Sequence, residues 1–236
     1  MSPKSKVQSP KLPFVLVNLA MTADGKIATA NRAVHSFGSA RDLAHLYELR
    51  ATADAVMCGA QTVEVSRTIL GAGGARFRKQ RLNNGLAEYN LRVIISGSGS
   101  LDPQADIFNK QFSPIIVLTT RRAAAKKLAR LRAVADEVKV CGATEVNFRS
   151  ALHWLHAKWG VNRLLCEGGG ELNDALFRAG LVDEINLTIC PIIFGGRTAP
   201  TIADGLGFQR LTNAARFELT SMKREKAELF TVFSRR

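Results

Sequence analysis

The sequence predicts an α/β fold, a largely parallel sheet with helices on both faces that ends in an antiparallel hairpin. Two observations predict it. Short β-branched runs alternate along the chain with segments whose apolar residues recur at helical spacing, as expected of parallel strands joined by helical crossovers. The tail breaks this alternation, because two apolar runs at residues 217–223 and 229–233 flank the short polar stretch 224–228, the pattern of a hairpin.

Taken in order, residues 14–19 (Phe-Val-Leu-Val-Asn-Leu) read as a buried first strand. Ser39 with Asp42 resembles a capping box, and it opens a helix through Arg50 with Leu43, Leu46 and Leu49 on its apolar side. Residues 55–58 and 91–95 form the next strands. Between them, residues 66–90 are rich in Gly, Arg and Asn without a clear period, which predicts a long loop. Residues 115–118 and 137–140 are strands around a helix carrying Ala124, Leu128, Leu131 and Ala135. Leu152, Leu155 and Trp159 mark the next helix, residues 163–166 the next strand, and Leu172, Ala175, Leu176 and Ala179 the helix after it. Residues 184–189 then lead towards the hairpin.

The chain has 236 residues, enough for one large α/β domain, expected over residues 13–236 behind a flexible basic lead-in at residues 1–12. No apolar run approaches the about 18 residues of a membrane span, so the chain is expected to be soluble. Cys58, Cys141, Cys166 and Cys190 adjoin apolar runs without metal-ligand spacing, which favours small buried thiols in a reducing cytoplasm over a metal site or disulfides. The formal net charge of +13 raises a nucleic-acid partner, but the basic residues are scattered, without interleaved aromatics or a recognisable motif, so nucleic acid is not the expected ligand.

Three segments carry candidate chemistry. In Leu164-Leu165-Cys166-Glu167-Gly168-Gly169-Gly170-Glu171-Leu172 a buried strand runs through three glycines into an amphipathic helix, which is the layout of an anion cradle and equally of a tight strand-to-helix connection. Glu167 stands just before it. Its carboxylate either faces a donor-rich ligand such as a pyrimidine edge, or is held by a helix cap or a salt bridge. The second segment is Asn18-Leu19-Ala20-Met21-Thr22-Ala23-Asp24-Gly25-Lys26, where the first strand yields to an Asp-Gly turn that turn chemistry alone explains. The third is Cys58-Gly59-Ala60-Gln61-Thr62, a strand end followed by glycine and a hydroxyl.

In chain order, Asn18 to Ala28, His35 to Arg50, Gly59 to Thr62, Glu167 to Leu172 and Leu181-Val182-Asp183-Glu184 with Pro191 to Gly196 together resemble the riboflavin-biosynthesis reductase family (RibD C-terminal-like). The resemblance spans residues 14 to about 207. It implies a dihydrofolate-reductase-like three-layer fold and an NADPH-dependent oxidoreductase, a homodimer, that opens the ribose of a ribosylaminopyrimidine 5′-phosphate to a ribityl chain. This is a 5-amino-6-(5-phosphoribosylamino)uracil reductase or its diamino counterpart. The resemblance further implies that Met21, Gly59, Thr62, Ser66, Ser96, Gly97, Thr119, Gly168, Gly169, Gly170, Glu171 and Leu172 bind cofactor. Substrate falls to Asn18, Arg50 and Glu167, and Asp24 is a candidate for orienting or protonating groups. Asn18 matches the stand-alone enzymes, whereas many fused bacterial ones have lysine there. The zinc deaminase signature of the fused enzymes is missing, so only reduction is expected. Its chemistry comes from the cofactor and needs no nucleophile or metal.

One departure stands out. Where the family continues with Asp-Asp-Pro-x-Leu-Thr, this chain reads Val65-Ser66-Arg67-Thr68-Ile69-Leu70-Gly71. The acidic pair is gone. Arg67, Arg76 or Arg78 is a candidate to contact the substrate phosphate from this loop, and Arg121 with Arg122 a candidate for the cofactor's 2′-phosphate, against a solvated helix start. Two other readings stay open: a reductase of a different heterocyclic or pterin-like substrate, and a non-enzymatic basic protein that binds RNA or a partner protein.

Overall fold

Residues 14–22 show how the sheet is buried. Along this stretch Val15 and Val17 point into one apolar cluster and Leu16 into a second, so both faces of the strand are covered and the run is apolar without alternation. The structure, a computed structural model, describes residues 11–32 and 37–236. Most of the expected basic lead-in, and His35, lie outside the described residues.

Among the described residues nine strands form one sheet: β1 (Phe14–Thr22), β2 (Ala55–Gly59), β3 (Leu91–Ile95), β4 (Ile115–Thr119), β5 (Glu137–Val140), β6 (Arg163–Cys166), β7 (Glu184–Cys190), β8 (Phe217–Glu225) and β9 (Glu228–Arg235). Their spatial order is β5-β4-β3-β2-β6-β1-β7-β9-β8. The first seven pair in parallel, β9 joins β7 antiparallel, and β8 closes the edge against β9. The expected hairpin is therefore present. Its turn is tighter than expected, at Lys226 and Ala227, with Lys226 at a φ of 56°.

Among the described residues six α-helices complete the layers: α1 (Ala40–Arg50), α2 (Ala60–Ser66), α3 (Ala75–Asn83), α4 (Ala125–Arg132), α5 (Phe148–Trp159) and α6 (Gly170–Arg178). Leu152 and Leu155 of α5 and Leu172 and Leu176 of α6 pack in the cluster with Val15, whereas Val63 of α2 and Leu131 of α4 pack in the cluster with Leu16. Side chains of Cys58, Cys141, Cys166 and Cys190 are all buried and unpaired, as expected of small apolar fillers.

Two expectations need correction. Residues 66–90 hold helix α3. The helix escapes a periodicity reading because its deepest anchor is a cation: Arg81 is buried, its Nη1 donating to the carbonyls of Arg50 (2.5 Å) and Ala53 (2.7 Å) and its Nε to that of Ala87 (2.9 Å). The second concerns α1. Ser39 caps it as expected, accepting from the backbone N–H groups of Arg41 and Asp42, but Leu43 is 47% exposed and the only buried residue of the helix is Arg50. This helix is anchored at its end by a guanidinium.

The connections also locate a crevice. From β2 the chain moves outward through β3, β4 and β5, whereas from β6 it moves the other way, past β1 to β7. The carboxyl ends of β2 and β6 are thus a topological switch point, where open α/β sheets bind ligands. Gly59 ends β2, and Glu167 follows β6.

Candidate active site

A cleft of about 1050 Å³ opens at this switch point. It brings together Asn18 from β1, Arg50 from the end of α1, Gly59, Thr62 and Ser66 around α2, Ser96 and Gly97 after β3, and Glu167 with the Gly168–Leu172 turn after β6. Segments far apart in sequence meet because parallel strands all deliver their following loops to one edge.

At the centre is an ion pair. Arg50 donates from Nε to Glu167 Oε1 (2.6 Å) and from Nη2 to Oε2 (2.5 Å), while its Nη1 donates to the carbonyl of Gly71 (2.6 Å). Arg50 is 5% exposed and its guanidinium lies over the Tyr47 ring at 5.3 Å. Burial works against its charge, but the Glu167 carboxylate outweighs this and holds its pKa above the ordinary arginine value. Of the open readings for Glu167, the salt bridge is thus present, and the fork of Arg50 spans both carboxylate oxygens. Beside the pair, burial pushes up the thiols of Cys58 and of Cys166, the latter to about 12, so both remain neutral. One buried polar atom of the cleft lining has no partner, Asn18 Oδ1.

The three glycines of the turn serve by size, since none of them has a positive φ. A Cβ on Gly170 would stand 2.7 Å from the Thr201 carbonyl and 2.6 Å from Asp204 Oδ2, and one on Gly168 3.1 Å from Cys166 Sγ. Gly169 differs. Its Cβ position meets only Thr62 Oγ1, at 3.9 Å, and as N-cap of α6 it offers no side-chain cap. The first-turn N–H groups of α6 therefore remain available to an anionic group in the cleft, and the residues present fit a dinucleotide phosphate. Gly59, the N-cap of α2, is likewise without a side-chain cap, with open space at its Cβ position.

Other expected residues lie elsewhere. Met21 packs against the core, and Thr119 is buried behind Gly97, to whose carbonyl its hydroxyl donates (3.4 Å). Asp24 accepts from Thr22 Oγ1 (2.6 Å) and from the N–H groups of Phe194 (3.2 Å) and Gly195 (2.8 Å). The Thr22 hydroxyl, first among these, holds its pKa below the usual aspartate value, so Asp24 is an anionic staple between β1 and the loop after β7. Arg67, Arg76 and Arg78 do not line the cleft: Arg76 is exposed with Glu48 at 3.8 Å, and Arg78 is paired with Glu88 at 2.9 Å. Arg121 and Arg122 are outside it too. Conversely, Arg32, Ser98, Ser100 and the segment from Thr144 to Arg149 line the cleft without having stood out in the sequence, because they belong to loops and to the first turn of α5, with no motif spacing, and only their position after β1, β3 and β5 points to them.

Replacing Glu167 with Gln leaves the buried Arg50 charge without its counter-ion. The expected loss of stability is about 3–5 kcal/mol, read from the urea midpoint at unchanged slope. Changing Arg50→Met in the same chain should restore part of it. A Glu167→Gln variant as stable as the wild type would show that the pair carries no structural weight.

Comparison with known proteins places this geometry. Residues 13–230 match the family model described as RibD C-terminal domain. The chain is 36% identical, over 88% of its length and 91% of the relative's, to a 2,5-diamino-6-ribosylamino-4(3H)-pyrimidinone 5′-phosphate reductase of Methanothermobacter thermautotrophicus. It is 35% identical to the enzyme of the same name from Archaeoglobus fulgidus, over 87% of the chain and 93% of the relative. Among solved structures, a pyrimidine reductase-like protein from Corynebacterium diphtheriae superposes with a TM-score of 0.79 at 20% identity, covering 95% of this chain and 92% of that one, a likeness of fold. A cleft at the β2/β6 switch point, built by motifs in the family's order, thus sits in a chain that belongs to the RibD C-terminal domain family.

Proposed function

We propose that this protein is a reductase of riboflavin biosynthesis, converting the ribosyl group of a ribosylaminopyrimidine 5′-phosphate into a ribityl group at the expense of NADPH. The observation that carries this reading is the meeting of Asn18, Arg50 and Glu167 with the uncapped Gly168–Leu172 turn in one cleft. The names of the archaeal relatives, both pyrimidinone 5′-phosphate reductases, support the substrate class. NADPH would supply the hydride, with its phosphates at the Gly168–Leu172 turn beside Gly59 and Thr62. Asn18, whose buried Oδ1 lacks a donor, is suited to accept from an amino group of the pyrimidine. The Arg50–Glu167 pair orients that wall of the cleft and excludes water from it.

Since Arg50 is engaged by Glu167, and Arg67, Arg76 and Arg78 lie outside the cleft, the substrate phosphate is assigned to Arg32, which lines the mouth on the β1 side. The rearranged residues 66–73 also favour a second reading, in which another heterocyclic or pterin-like substrate is reduced. Four buried free thiols are in keeping with a reducing cytoplasm. The edge strand β8 exposes Leu219 (49%) and Met222 (65%), an apolar face that supports a homodimer.

Three outcomes test these assignments. Purified protein should oxidise NADPH with the diamino or the deaminated ribosylaminopyrimidine phosphate, and turnover of a pterin with neither of these accepted would favour the second reading. Arg32→Ala should raise KM for the phosphorylated substrate roughly tenfold with little change in kcat, and an unchanged KM would remove Arg32 from the phosphate site. Light scattering should give twice the chain mass, with Met222→Lys lowering it; a monomeric wild type would refute the dimer.

A further inference from the structure

Two phosphorylated ligands in one cleft need more anion contacts than one turn provides. Among the described residues four cations line the cleft, Arg32, Arg50, Arg149 and Arg178. Two are taken, Arg50 by Glu167 and Arg178 by Asp174 at 2.8 Å. The side chain of Arg149, in the first turn of α5, makes no ion pair or hydrogen bond among the described residues.

Its position follows from the order of strands. Thr120 N donates to the Gly97 carbonyl, and Arg121 N to that of Gly142, so the loops after β3, β4 and β5 lie side by side. The segment leading into α5 is thereby set beside the loop that carries Ser98 and Ser100, at the end of the cleft away from β1. Lys127 donates to the Ser100 hydroxyl and adds a second positive charge behind it. One carboxylate, Glu145, lines this end, against Arg149 in the cleft wall and Lys127, Lys126, Arg121 and Arg122 on the adjoining α4 and its lead-in. The local field is positive.

We infer that Arg149 binds the 2′-phosphate on the adenosine ribose of the cofactor and sets its preference for NADPH over NADH. This rests on the cofactor reading above. With the diphosphate at the Gly168–Leu172 turn and the reacting ring required on the side of Asn18 and Glu167, the adenosine half runs towards β3, β4 and β5. A phosphomonoester there meets a guanidinium fork and the hydroxyls of Ser98 and Ser100, the donor set for a dianion. A site for the unphosphorylated ribose would instead lead with a carboxylate to the free 2′-hydroxyl, the role open to Glu145 if Arg149 did not dominate.

The test uses calorimetric titration of the full chain with NADP⁺ and NAD⁺ separately. The wild type should bind NADP⁺ more tightly. Arg149→Ala should weaken NADP⁺ roughly tenfold or more and leave NAD⁺ unchanged, with Arg149→Lys intermediate. Adenosine 2′,5′-bisphosphate, which lacks the nicotinamide, should displace NADP⁺ from the wild type and lose affinity in parallel on Arg149→Ala. The double variant Arg121→Ala with Arg122→Ala should keep the wild-type ratio. Equal weakening of both dinucleotides by Arg149→Ala, a wild type that prefers NAD⁺, or a ratio that collapses in the Arg121/Arg122 variant instead would overturn the assignment. A wild type that binds neither dinucleotide would overturn the cofactor reading and this assignment with it.

Discussion

The rest of the site depends on one interaction, the buried pair between Arg50 and Glu167. A guanidinium at 5% exposure needs its donors filled, and here a counter-charged carboxylate takes two donors and the Gly71 carbonyl a third. Three elements are tied at one point: the end of α1, the end of β6 and the segment that follows α2. Because α1 buries no other residue, this bond, with the Ser39 N–H and hydroxyl donating to Glu228 of β9 at the other end, fixes the helix against the sheet. Arg81 is buried beside it without an ion pair among the described residues, its Nη1 donating to the carbonyls of Arg50 and Ala53. One arginine reads the backbone of the other.

That arrangement explains how residues 66–73 differ from the family pattern without dissolving the cleft. An acidic pair in this segment would add negative charge near Glu167. Here the segment presents a neutral carbonyl from Gly71 to Arg50, and Asn90 donates from Nδ2 to the carbonyl of Leu70, so the loop is held by its main chain. The arginines that follow it in α3, Arg76 and Arg78, face Glu48 and Glu88. Phosphate recognition is then left to cations outside this loop.

The strands were legible in the sequence because burial on both faces leaves continuous apolar runs, and residues 91–95, 137–140 and 163–166 end in the structure where the apolar pattern ends. Legibility failed where a charged side chain replaced an apolar anchor. Helix α3 hides behind Arg81, and α1, whose span the sequence did mark, conceals its anchor Arg50, since neither guanidinium registers as core in a hydrophobic pattern. The site was legible in its motifs, Asn18, Gly59, Thr62 and Glu167 to Leu172, which have fixed spacing to strand ends. Asp24 is also a motif residue, but its carboxylate is spent on Phe194 and Gly195. Arg32, in a loop, and Arg149, in the first turn of α5, were not legible, because a cation without motif spacing gains its meaning only from the wall it faces.

The glycine turn joins these two levels. Three glycines in sequence promise backbone freedom, yet here they make room: Gly168 for Cys166 and Leu172, Gly170 for the Thr201 carbonyl and Asp204. All three line the cleft, but only Gly169 has a nearly clear Cβ position. The close approach at Gly170 sets residues 201–204 over the start of α6, Gly168 packs against Cys166 and Leu172, and the middle glycine keeps the approach to the first N–H groups clear. A turn required to bind an anion by backbone alone needs both properties, rigidity behind and space in front. Thr62 is the one group within 4 Å of that middle position, so its hydroxyl in the first turn of α2 faces the start of α6 across the open glycine.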